Sequence, residues 1–339
     1  MIEFDKMEKK KHVMYKSMWA NLPDSFQIEK TRYKDKLSDN SYQFSNTMIN
    51  KTSVESCAEG LSDLFKIAER DIFRCKLKQI CNGNGQELRR ITTMHSSALC
   101  ALLFFYNVTR DHTLELRLDD NDCEFYCSVF EYKNIVIKGR NPSNVDVVLI
   151  GTEKSTGQRV ILFLESKFAE FYNDTSKELS GVSGEYMKNE YGKDIYEKLV
   201  ALQKYILEPD SDDNFKITSK KFCYLEGIKQ MISHYIGIRN LCNGIKYEEK
   251  GCFNELIKTE DAKIYLGTIC YDKGFAELAF NNYQKQYSAL VSILNDVTPS
   301  ETNITVLPEL LRYSQDELKG FVNDSIRKYY FEYGDDNWK

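Results

Sequence analysis

The spacing of apolar residues predicts helices in the first third of the chain. From Leu61 to Cys81 apolar residues recur at helical spacing, and the run Asn82-Gly83-Asn84-Gly85 then ends the helix. A second helix is predicted from near Gln86, and it becomes apolar nearly all round from Ala98 to Tyr106. Because a helix that is apolar on every side must be buried, we expect it to pack against a sheet.

Strand-like runs, rich in aromatic and β-branched residues, follow these helices. Three strands are predicted: Phe125 to Lys138, with a break near Lys133-Asn134, then Asn144 to Ile150, and Arg159 to Phe168. Gly151 to Gln158 has the composition of a turn, so the last two strands should form a hairpin.

The rest of the chain alternates between helices and strands. We predict a polar insertion at residues 173 to 220 with one helix from Ile195 to Leu207. After it we predict helices at Gly227 to Cys242 and Leu278 to Leu294, and strands at Lys263 to Tyr271 and Ile304 to Leu307. The capping box Ser314-x-x-Glu317 should begin the last helix. A helix after the third strand allows a crossover to a parallel fourth strand. The pattern therefore predicts an α/β fold, with a mixed central sheet flanked by helices.

Composition and charge narrow the class of protein. The chain has 339 residues, of which 42% are hydrophobic and 29% charged, which excludes wholesale disorder. A net charge of −5 excludes a basic stripe over the whole surface, so nucleic acid would have to bind a local patch. No apolar run reaches the roughly 20 residues of a membrane span, and no secretory signal is visible. The 10 cysteines are scattered singly, so we expect a cytoplasmic protein with free thiols and no membrane partner.

Charged residues interrupt the two most apolar predicted strands. Asp146 stands in one strand of the hairpin, and Glu165 and Lys167 stand in the other. Residues two apart on a strand share a face, and the hairpin brings Asp146 alongside the second strand, so the three charges can converge. An unpaired charge in such surroundings is costly. Carboxylate oxygens suit Mg²⁺ or Mn²⁺, and such an ion would compensate the buried acids.

A divalent cation at this position suits the hydrolysis of a phosphodiester. The ion would activate water and neutralise charge on the phosphate, while Lys167 would orient or deprotonate the attacking water. The alternative is a plain salt bridge, in which Lys167 pairs with Glu165 or Asp146 on the exposed face of an edge hairpin. The apolar flanks favour a buried central strand and therefore the metal site.

On these residues, the chain resembles the PD-(D/E)xK, restriction-endonuclease-like nuclease superfamily. Pro142, four residues before Asp146, stands for a degenerate first element. The resemblance is closer to an uncharacterised bacterial branch, through Ser96-Ser97, Asn144-Val145-Asp146, Glu165-Ser166-Lys167-Phe168 and Lys229-Gln230-Met231-Ile232-Ser233-His234. It covers about residues 86 to 330. It implies a nuclease-like domain at residues 86–339, with the polar insertion inside it, and a polar, helical extension at residues 1–85.

The resemblance implies a role for each residue of the motif. Asp146 and Glu165 would be metal ligands, the carbonyl of Ser166 would be a further ligand, and Lys167 would be the catalytic lysine. The cofactor would be Mg²⁺ or Mn²⁺, and the reaction would be the hydrolysis of nucleic acid, with a DNA endonuclease as the expected activity. The alternative is a catalytically inactive nuclease-like fold that binds nucleic acid or a protein partner.

Further site residues are less fixed by the motif. The superfamily usually adds an earlier acid, for which Glu131 is the first candidate and Glu87 the second; each is otherwise a surface carboxylate. Gln230 is expected to approach the active site or the DNA. His234, four residues later, shares its helix face, and is either a contact to nucleic acid or a half-buried histidine bonded to a neighbour.

Basic and aromatic residues outside the motif suggest where nucleic acid would bind. Arg89 and Arg90 are the candidates closest to the motif, and phosphate contacts of this kind supply non-specific affinity. The other members of these sets are Lys66, Arg70, Arg74, Lys76 and Lys78 before the sheet, and Tyr172, Tyr186, Tyr191 and Tyr196 in the insertion. For each of these two sets alone, an ordinary solvated surface is the preferred interpretation. A homodimer would suit an enzyme that cuts both strands, and the oligomeric state stays open.

Overall fold

The computed structural model describes most of the predicted core of the chain. The described residues are 18, 21–22, 53–81, 91–92, 96–168, 194–195, 207–209, 215–217, 225–247, 256–272, 277–297 and 303–332. Most of the predicted polar insertion, together with Glu87, Arg89, Arg90 and the four tyrosines of the insertion, lies outside them.

A curled, mixed sheet of seven strands lies at the centre of the fold. In chain order the strands are β1 Leu114–Leu118, β2 Asn121–Asn134, β3 Ser143–Glu153, β4 Arg159–Lys167, β5 Leu207–Pro209, β6 Phe215–Ile217, β7 Lys263–Cys270, β8 Ile304–Val306 and β9 Leu311–Arg312. The spatial order is β1-β2-β3-β4-β7-β8, β9 also pairs with β7, and β5 and β6 form a separate hairpin. The strand β4, which carries Glu165 and Lys167, is therefore central.

The sheet changes from antiparallel to parallel after β4. Strands β1 to β4 pair antiparallel, whereas β7 runs parallel to β4 and to its other neighbours. Parallel neighbours need a crossover connection, and a helix lies between β4 and β7 in the chain. The helices are α1 Val54–Phe65, α2 Arg70–Cys81, α3 Ser97–Phe105, α4 Leu225–Cys242, α5 Glu277–Asp296, α6 Asp316–Phe321 and α7 Asp324–Phe331.

Helices cover both faces of the sheet, so the strands are apolar on both sides. One buried cluster joins α1, α2, α3, α6 and α7 to one face. A second cluster joins α4 and α5 to the other face. Along β3 the side chains alternate between them, with Val147 and Leu149 in the first cluster and Val148 and Ile150 in the second. The helices that precede residue 85 thus share a core with the sheet.

The neighbouring strands β2 and β3 share an irregularity at one level of the sheet. Residues two apart on a regular strand face the same side of the sheet. The residues on either side of Glu131 and of Asp146 instead face opposite sides: Phe130 and Val147 lie in the first cluster, and Tyr132 and Val145 lie in the second. These four residues pair across the strands and enclose Glu131 and Asp146. Glu131 has a left-handed backbone with φ of 52°, which is uncommon for a residue with a side chain. The alternation of faces therefore reverses at Glu131 and Asp146.

The coarse prediction from the sequence is confirmed for the second half of the fold. The hairpin of β3 and β4, the helix α4, the parallel strand β7 and the helix α5 all lie where the apolar pattern placed them. The turn of the hairpin is shorter than predicted, because β3 continues to Glu153.

The prediction of one helix from Leu61 to Cys81 is wrong. The helix α1 ends at Phe65, because Lys66 adopts a left-handed conformation with φ of 51° and its N–H binds the carbonyl of Ser62. The helix α2 begins at Arg70. The predicted helix from Gln86 also needs correction, since Ile91 and Thr92 form a turn and the helix begins at Ser97.

Two details of the predicted elements are wrong, and four strands were not predicted. Ser314 does not cap the next helix: its hydroxyl donates to Asp272 at 2.8 Å, and Gln315 occupies the N-cap position. Leu207 begins the strand β5 rather than ending a helix. The strands β1, β5, β6 and β9 had no counterpart in the prediction.

Among the described residues, no helix combines the length and the apolar character that crossing a bilayer requires.

The helix α4 approaches the sheet closely at Gly237. A Cβ atom built there would lie 2.6 Å from the Cβ of Asn134 on β2. Gln230 and His234 lie seven and three residues before Gly237, so all three share a helix face. A side chain at this position would push that whole face away from the sheet.

We expect Gly237→Ala to lower the free energy of unfolding by about 1–3 kcal/mol, as overpacking does. Denaturant unfolding measures it. Gly320→Ala in α6 is the matched control, because no atom lies within 4 Å of a Cβ there, and this change should be neutral or stabilising. Equal effects of the two substitutions would contradict the close approach of α4.

Candidate active site

An ionised carboxylate is buried in the middle of the sheet. Glu165, near the end of β4, is 1% exposed. Its Oε1 accepts a hydrogen bond from Lys167 Nζ at 2.6 Å, and its Oε2 lies 2.7 Å from His234 Nε2. Lys167 is itself 4% exposed. The alternative interpretation of a solvent-exposed ion pair on an edge hairpin is therefore wrong, because β4 lies between β3 and β7.

The two partners of Glu165 decide its charge state. Burial, the largest influence, raises the pKa of Glu165, but the positive charge of Lys167 and the hydrogen bond from His234 outweigh it and lower the pKa to about 2. Glu165 is thus a carboxylate at neutral pH. Removing either partner would leave a buried charge with too little compensation.

The helix α4 supplies two of the side chains around this carboxylate. Gln230 Oε1 accepts a second hydrogen bond from Lys167 Nζ, also at 2.6 Å. His234 lies one helical turn after Gln230, on the same face. The structure therefore brings Gln230, Lys167, Glu165 and His234 into one hydrogen-bonded chain that joins α4 to β4.

Asp146 reaches the same segment of β4 from the neighbouring strand. Its Oδ2 accepts a hydrogen bond of 2.7 Å from the backbone N–H of Ser166, the residue between Glu165 and Lys167. Regular pairing of the two strands ends one residue earlier, at Val147 and Leu164. The Asp146 carboxylate thus replaces the backbone partner that the Ser166 N–H would have in a regular strand pair. This contact brings Asp146 next to Glu165 and Lys167.

Burial and charged neighbours together shift the pKa of Asp146. Burial raises the pKa of Asp146 well above its ordinary value, and the negative charges of Glu165 and Glu131 raise it further. Lys167 and the Ser166 N–H act in the opposite direction without balancing this effect. Glu131 lies across from Asp146 at the irregularity of β2 and β3. The net effect disfavours the ionised form of Asp146.

Ser166 anchors the end of β4 to the opposite face of the sheet. Its hydroxyl lies 2.7 Å from the Tyr313 hydroxyl and donates to the carbonyl of Ser97 at 3.2 Å. Ser96 caps α3 by accepting from the N–H of Leu99 at 3.0 Å. The Ser-Ser pair singled out in the sequence thus begins the helix and holds the strand.

Ser143, the first residue of β3, was missed by the sequence analysis. Its Oγ lies 2.6 Å from His234 Nδ1. It is partly exposed, whereas His234 is 1% exposed, so the histidine faces inward and contacts Glu165 and Ser143. Nothing in the sequence marks Ser143 among the many hydroxyl residues, since only the fold brings it beside α4.

The described basic residues before the sheet are largely neutralised within the protein. Arg70 pairs with Asp63 and Arg74 with Asp71, each at 2.6 Å, and Lys78 pairs with Glu55 at 3.0 Å. The ammonium of Lys76 donates to the carbonyl of Ser128. These contacts agree with an ordinary solvated helix surface, and exposed pairs of this kind add little stability.

The three acids are suitable ligands for a divalent cation, but their side chains are not arranged around a common point. In the part of the chain that the structure describes, no three or more His, Cys, Asp or Glu side chains are arranged as a metal site. Both oxygens of Glu165 already have partners. However, Asp146, Glu165 and Glu131 offer hard oxygen ligands, and a cation would offset the burial and the repulsion from Glu165 and Glu131 that raise the pKa of Asp146.

No protein-family model, curated protein or solved structure significantly matches this chain. Functional inference therefore depends on the geometry around Glu165 and on the resemblance of the motif.

We expect Lys167→Met to lower the free energy of unfolding by about 2–5 kcal/mol, because it leaves Glu165 charged and buried with one partner fewer. The double variant Glu165→Gln/Lys167→Met removes both charges and should be more stable than Lys167→Met by at least about 1 kcal/mol. Denaturant unfolding without added metal measures both. A double variant that is less stable than Lys167→Met would contradict the role of the ion pair.

Proposed function

We propose that this chain is a Mg²⁺- or Mn²⁺-dependent nuclease with a restriction-endonuclease-like fold, and that it hydrolyses phosphodiester bonds in DNA. One observation carries the proposal: the partly buried Asp146 carboxylate accepts a hydrogen bond from the backbone N–H of Ser166, the residue between Glu165 and Lys167. A structural ion pair needs one acid for one lysine. A further acid held against the same residues, with Glu131 opposite it, suits a site for a cation.

The order of elements supports the proposed fold. A buried helix, α3, precedes the hairpin of β3 and β4, and the crossover that contains α4 leads to the parallel strand β7. This is the layout expected from the motif. The acids lie on the hairpin, and α4 places Gln230 beside the lysine.

Asp146, Glu165 and the carbonyl of Ser166 would hold the cation, with Glu131 as the further acid. When bound, the cation would neutralise charge on the phosphate and make water more acidic. Its binding would also offset the burial and the repulsion that together raise the pKa of Asp146.

We assign Lys167 as the catalytic residue of phosphodiester hydrolysis. Two acceptors, Glu165 Oε1 and Gln230 Oε1, fix the position of its ammonium. A fixed ammonium beside the acids can orient the attacking water and stabilise negative charge on the phosphate oxygens. Gln230 acts through Lys167 as a positioning residue.

A second candidate function is a nuclease-like fold that binds nucleic acid or a protein partner without cutting. It is favoured by the engagement of both Glu165 oxygens with Lys167 and His234. A carboxylate held in this way is a complete ion pair, and it needs no metal for its own compensation.

Cleavage of plasmid and linear DNA in Mg²⁺ or Mn²⁺ tests the proposal. We expect Lys167→Ala and Asp146→Ala each to lower the cleavage rate by about 100-fold or more, the usual size of such contributions. Lys263→Ala is the matched control, because it breaks another Lys–Glu pair of the sheet, with Glu153 at 2.8 Å, and should leave the rate unchanged.

Cleavage that survives both active-site substitutions would refute the mechanism. Salt-dependent binding of DNA with no products in either metal would favour the fold that binds without cutting.

A further inference from the structure

His234 connects an acid of the proposed site to the start of the strand that carries the other acid. Its Nε2 lies 2.7 Å from Glu165 Oε2, and its Nδ1 lies 2.6 Å from Ser143 Oγ. The side chain is 1% exposed. A buried imidazole with a partner on each nitrogen is fixed in both its rotation and its tautomer.

The direction of the hydrogen bond to Glu165 follows from the chemistry of its carboxylate. A carboxylate can only accept, so the Nε2 of His234 must carry a hydrogen and donate it. Nδ1 faces the Ser143 hydroxyl, which can either donate to it or accept from it. The contacts therefore run from Ser143 through His234 to Glu165 without an unmatched group.

We propose that Ser143 and His234 form a positioning relay that sets the orientation of the Glu165 carboxylate for metal binding. This inference depends on the proposed function. Lys167 holds one oxygen of Glu165 and His234 holds the other, so the two together define the plane of the carboxylate. Such orientation matters, because a metal site tolerates deviations of only about 0.5 Å or 10–20°.

The backbone is built to bring the relay together. Ser143 pairs with Asn134 across β2 and β3. Asn134 is also the residue that α4 approaches at Gly237, where a Cβ atom would lie 2.6 Å away. The absence of a side chain at Gly237 thus allows His234, one turn earlier, to come within reach of Ser143.

Ser143 and Asp146 lie three residues apart on the same strand, so the relay links the two proposed ligand positions. Displacement of the start of β3 would reach Glu165 through His234 and reach Asp146 through the strand. His234 and Ser143 touch neither the phosphate nor the water in this scheme, and they are positioning residues.

Two amide substitutions of His234 separate its two contacts. His234→Gln keeps an N–H near the position of Nε2 and so can still donate to Glu165. His234→Asn places its amide near the position of Nδ1 and loses the donor to Glu165. Both replace the imidazole with a smaller polar group, so a role in packing alone would affect them similarly.

Mn²⁺ binding by calorimetry in the absence of DNA is the first measurement, and kcat and KM for DNA cleavage in saturating Mn²⁺ are the second. For His234→Asn we expect Mn²⁺ affinity to fall by about 10–100-fold, the usual effect of removing such a support, with a lower kcat and an unchanged KM. For His234→Gln both values should stay within about 5-fold of wild type. Ser143→Ala should lower Mn²⁺ affinity by about 3–10-fold.

Equal effects of the Asn and Gln variants, or unchanged Mn²⁺ affinity in Ser143→Ala, would overturn the relay while leaving the nuclease intact. Ser143→Ala also decides the question if His234→Asn does not fold. A wild-type protein that neither binds Mn²⁺ nor cleaves DNA would overturn the proposed function, and the relay with it.

Discussion

The burial of one negative charge, on Glu165, is the constraint around which this fold is arranged. A carboxylate in the middle of a two-sided sheet loses its hydration, and only partners at hydrogen-bond distance can replace it. Lys167 comes from the same strand, but His234 and the Gln230 that holds Lys167 come from α4. The helix therefore has to pack at one height and one rotation over the sheet, and its close contact at Gly237 satisfies that requirement.

The second acid depends on a departure from regular strand geometry. In β2 and β3, the side of the sheet that alternate side chains face reverses at Glu131 and Asp146. Glu131 also has a left-handed backbone. Conformations of this kind are costly and persist where the surrounding structure enforces them, most often at functional positions. The irregularity frees Asp146 from the pairing of the hairpin, so that its carboxylate binds the N–H of Ser166. The same irregularity sets Glu131 opposite Asp146, where its negative charge adds to the effect of burial in raising the pKa of Asp146.

The sequence was sufficient to predict the structure where periodic spacing of apolar residues determines a helix or a strand. The hairpin, the shared face of Glu165 and Lys167, and the shared helix face of Gln230 and His234 follow from spacing alone. It was insufficient where tertiary contacts compete with local preference. The helical pattern runs through Lys66 although the backbone turns there, and Ser314 binds Asp272 instead of capping a helix. Leu114, Leu116 and Leu118 alternate with polar residues, a visible strand signal for β1 that the prediction overlooked. The partners of His234 could not be predicted, because Ser143 and Glu165 meet it only in the folded chain.

The hydrogen bonds of Ser166 pass from one side of the sheet to the other. Through Tyr313, whose ring centroid lies 4.7 Å from that of Phe104, they reach the aromatic layer that includes Tyr330 of the C-terminal helix α7. A cation bound by Asp146 and Glu165 would restrict the backbone of Ser166. Through Ser166 it would also restrict that aromatic layer. Amide hydrogen exchange in α7 would then slow in the presence of a bound ligand, although α7 lies on the face of the sheet opposite to α4.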